Sequence, residues 1–458
     1  MIVIASPIIG FFLALLAVAA LFWGLKVASK SDEGILKYAF YALLIANAIA
    51  IFVSPRDFSL SSEYFESAIG SNFIATWSIR LTSLLLMLSA LERVIYFFRQ
   101  NQLDATRLGF LSVILYAWFT NFVIPTYFNG SGTPQLTHIY TIAFLAGTIL
   151  SLQKNPDTLI IHARNALVVF VLLSLIAIAI KPHHVMDFGY TQGYIPGLPR
   201  LFGLTPHATM MGLFAALAFW LLITYPLRKI SLQWVMLGLM YIALVLSQSK
   251  TVFVTFFIGL AILYLYSDRA ANNKNTASSF NLKWGLMGIG LLGLAGIGGV
   301  LAFVDIEMWA YQNLSVDKIQ NLTTLTGRDV IWAIALEEFY KNPLFGYGAG
   351  LFSESYREMI GMKNATHGHN LFIDAMGRAG LVGLSGYIAL FLAMGYYAIK
   401  LAKPTKGLSL SLFVLLSLYS ITAVPVNWAN LGPQIFTFIL LITVISSQLS
   451  TTKEHNHV

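Results

Sequence analysis

The sequence predicts an all-α membrane protein with about 12 or 13 transmembrane helices. Its composition supports this prediction, because 57% of the 458 residues are hydrophobic and only 10% are charged. Soluble domains are roughly a quarter charged, so these charges are too few to cover a surface in water. Apolar runs of about 17–25 residues, the length that crosses a bilayer, also recur along the chain. We therefore treat residues 1–458 as a single transmembrane domain.

Thirteen apolar segments are candidates for the predicted spans. The first is followed by Lys26 and has no positive charge before it, so we interpret it as a span rather than a secretory signal. The segment 137–152 is short, which leaves twelve spans as the alternative. The thirteen segments are 7–25, 35–53, 73–97, 108–126, 137–152, 165–181, 208–226, 232–248, 251–267, 284–304, 380–399, 408–425 and 433–448.

Lysine and arginine concentrate in alternate connections between these spans. The set consists of Lys26, Lys30, Lys37, Arg99, Arg107, Lys154, Arg164, Arg228, Lys229, Arg269, Lys274, Lys283, Lys400, Lys403, Lys406 and Lys453. Connections rich in Lys and Arg face the cytoplasm, which places the other set outside. Two outer segments hold most of the polar and aromatic residues of the loops: the loop 182–207 and the long, partly helical loop 305–379.

Composition and motifs exclude several kinds of site. The chain has no cysteine, which rules out disulfides, iron–sulfur clusters and thiolate zinc sites. The net charge of +8 forms no basic stripe in a soluble domain, so nucleic acid is not an expected partner. Asp305 and Glu307 fit the end of a span better than a metal site, and no HExxH motif is present. We expect neither a metal nor a cofactor.

Three basic residues stand at the predicted outer ends of spans. Charged side chains at this depth are costly and are often functional. Lys250, in VLSQSKTVFV, is either a cation for substrate or a lysine that extends from a helix end to the interface. Arg200 and His207, in PRLFGLTPHATMMG, could bind phosphate oxygens, since arginine offers a bidentate fork. Alternatively they are interfacial residues beside aromatic side chains.

The long loop contains a predicted helix, GRDVIWAIALEEFY, with Thr326 as its N-cap and Pro343 after its end. Arg328 and Trp332 share one stripe of this helix. Arg328 either pairs with its neighbour Asp329 or serves as a second cation for a polyanionic substrate. The segment GYGAG then breaks the chain, and LFSESYREMI predicts a second short helix.

Two histidines precede the next membrane helix, in the segment THGHN. A neutral imidazole suits a general base because its pKa lies near ambient pH. Either His367 or His369 could take this role, and metal binding by the pair has weaker support. The segment could instead only cap the helix, with Asn370 as the N-cap.

The long loop thus shows TGRDVIWAIALEEFYKNPLFGYGAG, a variable stretch, and HGHNLFIDAMGRAGLVGL. This order resembles the O-antigen ligase/polymerase superfamily of bacterial envelopes, and the upstream SQSK resembles the Ser-x-Ser-Arg segment of that family. The resemblance implies a GT-C-like glycosyltransferase. It assigns the family's two essential basic residues and its histidine to Lys250, Arg328 and His369. Lys250 departs from the family, which usually has arginine there.

The resemblance also implies an activity. Members move a glycan from undecaprenyl pyrophosphate to an acceptor sugar, here expected to be that of lipid A–core. Transfer is expected on the periplasmic side of the bacterial inner membrane, without metal and with inversion. Arg200, His207, His367 and Trp332 are the expected substrate-binding residues, and membrane lipids are further partners. The alternative within the family is a polymerase that joins lipid-linked repeat units.

A polysaccharide transporter or flippase is the alternative of another class. It would place charges within the spans of both halves, and it would often show an internal repeat. In this chain no repeat is evident, and the polar residues concentrate in one outer loop. That distribution favours an enzyme.

Because the chain has no cysteine, its orientation can be tested with single cysteines. The variants Lys318→Cys and Lys363→Cys should react with an impermeant thiol reagent in cells whose outer membrane is permeabilised, since the loop 305–379 is predicted to lie outside. Labelling that requires lysis of the inner membrane would reverse the orientation.

Overall fold

The computed structural model describes most of the chain. The described residues are 34–59, 72–100, 104–130, 135–151, 155–190, 193–195, 197–267, 328–362, 365–429 and 431–449. The predicted spans 7–25 and 284–304 lie outside them, as do Asp305, Glu307 and Thr326.

The described chain is helical except for one small antiparallel ribbon. In it, β1 (Met186–Asp187) pairs with β2 (Arg200–Leu201). The longer helices are α1 (Ala39–Phe52), α2 (Phe73–Arg99), α3 (Ala105–Trp118), α4 (Tyr140–Leu150), α5 (Thr158–Ile180), α6 (Ala208–Thr224), α7 (Ile230–Leu246), α8 (Lys250–Ser267), α9 (Arg328–Lys341), α10 (Glu354–Met359), α11 (Leu371–Lys400), α12 (Leu408–Thr422) and α13 (Phe436–Leu449). Helix α3 continues as a π-helix over Phe119–Phe128.

Eleven of the thirteen predicted spans coincide with apolar helices. Four are long and apolar enough to cross a membrane: Phe73–Arg99, Ala105–Phe128, Thr158–Ile180 and Leu371–Lys400. The other seven are shorter apolar helices. The helix that contains the predicted span 380–399 begins at Leu371 and so includes the end of the long loop. The point at which it enters the membrane stays a prediction. The all-α prediction is confirmed, and the number of spans stays a prediction.

Helices α6 and α13 form the centre of the bundle. Every residue of α13 and nearly every residue of α6 is buried. The rings of Phe214 in α6 and Phe436 in α13 lie 5.1 Å apart between centroids. A helix that is apolar on all sides must be surrounded by other helices. Here α5, α7 and α8 pack on α6, while α4, α5 and α12 pack on α13.

At one end of the bundle, basic side chains donate to backbone carbonyls of neighbouring helices. Arg107 donates to the carbonyl of Ser446 at 2.9 Å, and Lys406 donates to the carbonyl of Thr224 at 3.2 Å. Carbonyls at helix ends lack partners within the helix, so these cations satisfy them. The sequence predicts that Arg107 and Lys406 lie on the same side of the membrane. Both lie at the same end of the bundle, as this prediction requires.

At the other end, the described part of the long loop forms a small unit. Its helices α9 and α10 and the first turns of α11 enclose an apolar cluster of Ile331, Ala335, Leu351, Phe352, Tyr356 and Ala365. This unit contacts the end of the π-helix. The Pro125 carbonyl accepts a hydrogen bond from the Ala349 N–H at 2.9 Å, and the Asn129 side chain donates to the Gly346 carbonyl at 2.7 Å.

Helix α11 is interrupted at Gly380, where φ is 62° and ψ is −154°. An unbroken helix would bond the N–H groups of Leu381 and Val382 to the carbonyls of Gly377 and Arg378. The segment between α9 and α10 replaces both partners. The four bonds are Leu381 N–H to Pro343 O (2.8 Å), Val382 N–H to Leu344 O (3.2 Å), Tyr347 N–H to Gly377 O (2.8 Å) and Gly348 N–H to Arg378 O (2.9 Å). The loop is thereby inserted into the hydrogen-bond pattern of a membrane helix.

The substitution Gly380→Ala should destabilise this junction. A Cβ at this position would lie 2.4 Å from the Leu344 carbonyl, and the backbone conformation is one that residues other than glycine rarely adopt. We expect a loss of about 1–3 kcal/mol from backbone strain alone, seen as a lower unfolding temperature and faster proteolysis of the loop.

Gly109→Ala is the matched control for this substitution. Gly109 lies in α3 with no atom within 4 Å of the position that a Cβ would take. Alanine there should leave stability unchanged or raise it by up to about 1 kcal/mol. Equal unfolding temperatures for the two variants would contradict the role given to Gly380.

Candidate active site

Four segments that are distant in the sequence lie at the loop end of the bundle. They are 200–207, 247–250, the start of α9, and 367–370. Electrostatic interactions connect His369 with Arg328 and with His207. A hydrogen bond of 3.1 Å connects Arg200 Nε with the Ser247 carbonyl. The fold therefore brings most of the predicted site residues to one region.

Helix α11 begins directly after the histidine segment. The Asn370 side chain accepts hydrogen bonds from the N–H groups of Phe372 at 3.0 Å and Ile373 at 3.2 Å. Asparagine is a favoured N-cap because its side chain satisfies N–H groups of the first turn. The predicted cap is confirmed. It fixes the chain immediately after His369 and leaves the His369 imidazole available for other contacts.

Both backbone polar groups of Gly368 form hydrogen bonds with side chains. Its carbonyl accepts a hydrogen bond from Trp332 Nε1 at 2.8 Å, and its N–H donates to Asp374 Oδ1 at 2.7 Å. A Cβ at this position would lie 2.9 Å from the Asp374 Cβ, so only glycine allows this close approach. The indole N–H of Trp332, a predicted substrate contact, is thus used within the protein.

The backbone of His369 adopts a left-handed conformation with φ of 48°. Residues other than glycine rarely adopt it, so the neighbouring contacts must hold it. One such contact is the hydrogen bond from the His369 N–H to His367 Nδ1 at 3.1 Å. The two rings pack edge to face, with centroids 4.1 Å apart. Because Nδ1 of His367 accepts this bond, the proton of its neutral ring is on Nε2.

The electrostatic surroundings keep His369 neutral. Burial, together with the nearby His367 and Arg328, lowers the pKa of His369 to about 4, and Asp374 opposes this shift. The residue is half-buried. Among the residues that the structure describes, none forms a hydrogen bond with its imidazole nitrogens. The ring can therefore accept a proton from a group that enters the site.

Arg328 is the first residue of α9 and is half-buried. Its guanidinium forms no ion pair or hydrogen bond with any described residue, including the neighbouring Asp329. The local ion pair considered from the sequence is thus not observed. Arg328 interacts electrostatically with His369 and with Tyr419 of α12. A half-buried cation without a partner among the described residues is suited to an anionic ligand.

His207 is the N-cap residue of α6 and is exposed. Its position depends on Arg56, which is buried beneath the loop 182–207. Arg56 donates to the carbonyls of His184 at 2.7 Å, Thr205 at 2.6 Å and Gly203 at 2.5 Å. Burial lowers the pKa of Arg56 to about 9, so the side chain stays charged at neutral pH. Arg56 thereby fixes the chain that places His207 opposite His369.

Lys250 lies at the turn between α7 and α8, and Arg200 of β2 packs against this turn. Lys250 is exposed as the first residue of α8, and its ammonium group has no hydrogen-bond or ion-pair partner among the described residues. Arg200 lies over the Tyr190 ring, with 4.3 Å between its Cζ and the ring centroid. A Cβ on Gly212 of α6 would lie 2.3 Å from Ser247 Oγ. The turn therefore packs against α6, the helix that His207 caps.

His369 thus interacts electrostatically with Arg328, His367 and His207. Lys250 follows the turn after α7, and Arg200 packs against this turn through the Ser247 carbonyl. Within the described ranges, no group of three His, Cys, Asp or Glu residues has the geometry for a metal ion. The two predicted acidic candidates, Asp305 and Glu307, lie outside those ranges.

Sequence reasoning missed two residues that shape this site. Arg56 was hidden in a short, mildly acidic segment, and its partners are carbonyls about 130–150 positions away, which leave no pattern in the sequence. Asp374 lies four residues after Asn370, one helical turn from the cap. The sequence did contain a signal for Asp374. It is a carboxylate in the first turn of the helix that follows the two histidines.

Diethyl pyrocarbonate, which acylates neutral imidazole, can test the protonation state of His369. Its reaction with His369 should be about as fast at pH 5.5 as at pH 7, because the pKa is lowered to about 4. N-acetylhistidine in the same buffers is the control. With an ordinary pKa near 6.5, it should slow about eightfold. Mass spectrometry of the peptide that contains His369 gives the rate, and an eightfold loss at His369 would contradict the lowered pKa.

Comparison of the chain with known protein families gives one match. A family profile described as O-antigen ligase matches residues 235–388 of this chain. The match begins in α7 and includes Lys250, Arg328, His367 and His369, and it ends in α11. No curated protein matches the chain significantly. The match supports ligase- or polymerase-type glycan chemistry. The resemblance to the O-antigen ligase superfamily, predicted from the loop motifs, is confirmed over residues 235–388, about a third of the chain.

Proposed function

We propose that this protein is an O-antigen ligase-like glycosyltransferase. Its donor is a glycan on undecaprenyl pyrophosphate, and its acceptor is a sugar of lipid A–core. Transfer takes place on the periplasmic side of the bacterial inner membrane, in one displacement that inverts the anomeric carbon. It needs no metal and no cofactor. The whole chain forms one domain of 12 or 13 spans with a GT-C-like architecture.

One observation carries this proposal: a neutral His369 beside an Arg328 that has no partner among the described residues. Transfer needs a base for the acceptor hydroxyl and a cation for the departing diphosphate. The lowered pKa of His369 provides an unprotonated imidazole. Arg328 provides a fixed charge on the same side of the molecule. The two groups that the reaction requires are thus within electrostatic reach of each other.

A pKa of about 4 describes the site without substrate. A strong general base has a pKa nearer the working pH. Binding of a diphosphate next to Arg328 would compensate the cation that lowers the pKa of His369. The bound donor would therefore raise this pKa and strengthen the base when the acceptor is ready to react.

Lys250 and Arg200 supply further charge for the diphosphate. Lys250 stands at the N-terminus of α8, where the helix dipole disfavours a cation and favours an anion. An anionic donor at this position would relieve that repulsion. The aromatic ring of Tyr190 and the Ser247 carbonyl hold Arg200 in place. Among the described residues only Nε of Arg200 has a hydrogen-bond partner, so its terminal nitrogens can face the donor.

The family match and the location of the site favour an enzyme over a flippase. The unpaired cations of the described chain named above lie at one end of the bundle, whereas transport requires polar groups along a path through it. Ligase and polymerase differ in the acceptor. Purified protein in liposomes with a lipid-linked glycan should transfer to lipid A–core. Transfer only to a second lipid-linked glycan would make it a polymerase, and no transfer would remove the proposal.

Substitution of the cations should separate their roles. Arg328→Ala should abolish transfer while the protein remains folded in the membrane, because the leaving diphosphate loses its fixed charge. Lys250→Arg should be tolerated, since arginine keeps the positive charge and adds a bidentate geometry. Lys250→Ala should lose most activity. Normal transfer by Lys250→Ala would show that this lysine only extends to the interface.

Substitution of the histidines should separate binding from chemistry. His369→Ala should reduce turnover far more than it weakens binding of the lipid-linked donor, because proton transfer matters only when the acceptor attacks. His367→Ala should have a milder effect, since His367 acts on the His369 backbone. Binding is measured by titration with donor and turnover by glycan transfer. Normal turnover in His369→Ala would exclude this histidine as the base.

A further inference from the structure

Asp374 lies one turn into α11, only 7% exposed, and both of its carboxylate oxygens are engaged. Oδ1 accepts the Gly368 N–H at 2.7 Å, and Oδ2 accepts Arg378 Nε at 2.9 Å. A buried carboxylate is costly unless it is paired and hydrogen-bonded. Here both conditions are met, so the arrangement can persist inside the protein.

Arg378 connects this carboxylate to the core of the loop. Its guanidinium donates to the Ala349 carbonyl at 3.1 Å and lies over the Phe352 ring, 5.7 Å from the centroid. Phe352 belongs to the apolar cluster between α9 and α10. The position of Asp374 is therefore set by two elements, its own helix and the packed segment 349–352.

Asp374 is connected to the candidate base, His369, through the preceding residue, Gly368. The Gly368 N–H is held by Asp374, and the Gly368 carbonyl is held by Trp332. The next residue is His369, in its left-handed conformation. A strained backbone of this kind relaxes when its restraints are removed. Loss of the bond to Asp374 would let the Gly368 peptide rotate, and the direction of the His369 ring would change with it.

We propose that Asp374, paired with Arg378, is a positioning residue that orients the His369 imidazole through the Gly368 backbone. The inference rests on the proposed role of His369 as the base. Asp374 is not itself the base, because both of its carboxylate oxygens already accept hydrogen bonds within the protein. Asp374 acts on the geometry and on the charge around the His369 ring, and displacement of a reacting group by about 1 Å can cost on the order of 100-fold in rate.

Hydrogen exchange tests the positioning without any measurement of activity. In Asp374→Ala, the amide of Gly368 loses its acceptor, so the peptide that contains residues 366–370 should exchange faster. In Asp374→Asn, the amide oxygen can still accept this bond, and exchange should stay close to that of the parent protein. Equal exchange in all three proteins would overturn the proposal, whatever the reaction proves to be.

Kinetics test whether Asp374 acts through His369. Asp374→Ala should lower turnover by about 10- to 100-fold with little change in donor affinity. The same substitution in a His369→Ala background should cause no further loss, because residues that act as a unit are not additive. Glu358→Ala is the matched control, since Glu358 is an exposed acid of the same loop unit. It should leave turnover unchanged.

The pH profile provides a readout that a purely structural role would not change. The negative charge of Asp374 raises the pKa of His369. Asp374→Asn removes the charge and should lower that pKa, so the acid limb of the rate profile should move to lower pH. If Asp374→Ala fails to accumulate in the membrane, this shift decides the question, and an unmoved limb overturns the proposal.

Two further results would count against Asp374 as a positioning residue. A further loss of turnover in the Asp374→Ala/His369→Ala double variant would show that it acts outside the histidine. A loss of donor affinity equal to the loss of turnover would assign it to binding. Normal turnover in His369→Ala alone would instead remove the proposed base, and the exchange experiment would still decide whether Asp374 holds the Gly368 peptide.

Discussion

The exchange of backbone hydrogen bonds at Gly380 is the constraint on which the candidate site depends. Backbone polar groups of an apolar helix must be paired wherever water cannot reach them. A helix that breaks there exposes two N–H groups and two carbonyls, and the segment 343–348 satisfies all four. Since this segment follows α9 directly, the same exchange fixes the helix that begins with Arg328. The nine residues of α11 before the break are held by it too, and they start beside His369.

The buried arginines of the described chain are bound within the protein. Arg56 at one end and Arg107 at the other donate to backbone oxygens of distant segments, and Arg93 pairs with the Glu92 carboxylate. These guanidinium groups therefore stabilise the fold. Arg328 and Lys250 have no such partners among the described residues. The presence or absence of a partner within the described chain therefore separates structural cations from cations that can bind a ligand.

Much of the helix pattern and part of the site could be predicted from the sequence. Apolar length located eleven helices, and local residue order identified the Asn370 cap and the two loop helices. The proximity of Arg328 to His369 followed only from a resemblance to a known family. The role of Arg56 could not be predicted, because it comes from bonds to backbone groups whose positions depend on the finished fold. For Asp374 the sequence shows a carboxylate in the first turn of α11, but its bond to the Gly368 N–H also depends on that fold. The hydrogen bond from the Trp332 indole to the Gly368 carbonyl could not be predicted for the same reason.

The π-helix at the end of α3 has a consequence for the exchange of parts between related proteins. The π-helix ends at Phe128, so the carbonyl of Pro125 lies in its last turn and has no partner within the helix. This carbonyl accepts the Ala349 N–H. The long loop and the π-helical end of α3 therefore depend on each other for their structure. A chimera that receives the loop of a relative without the segment 119–129 would lose this contact and the bonds from Asn129. Grafts intended to change acceptor choice should carry both segments together.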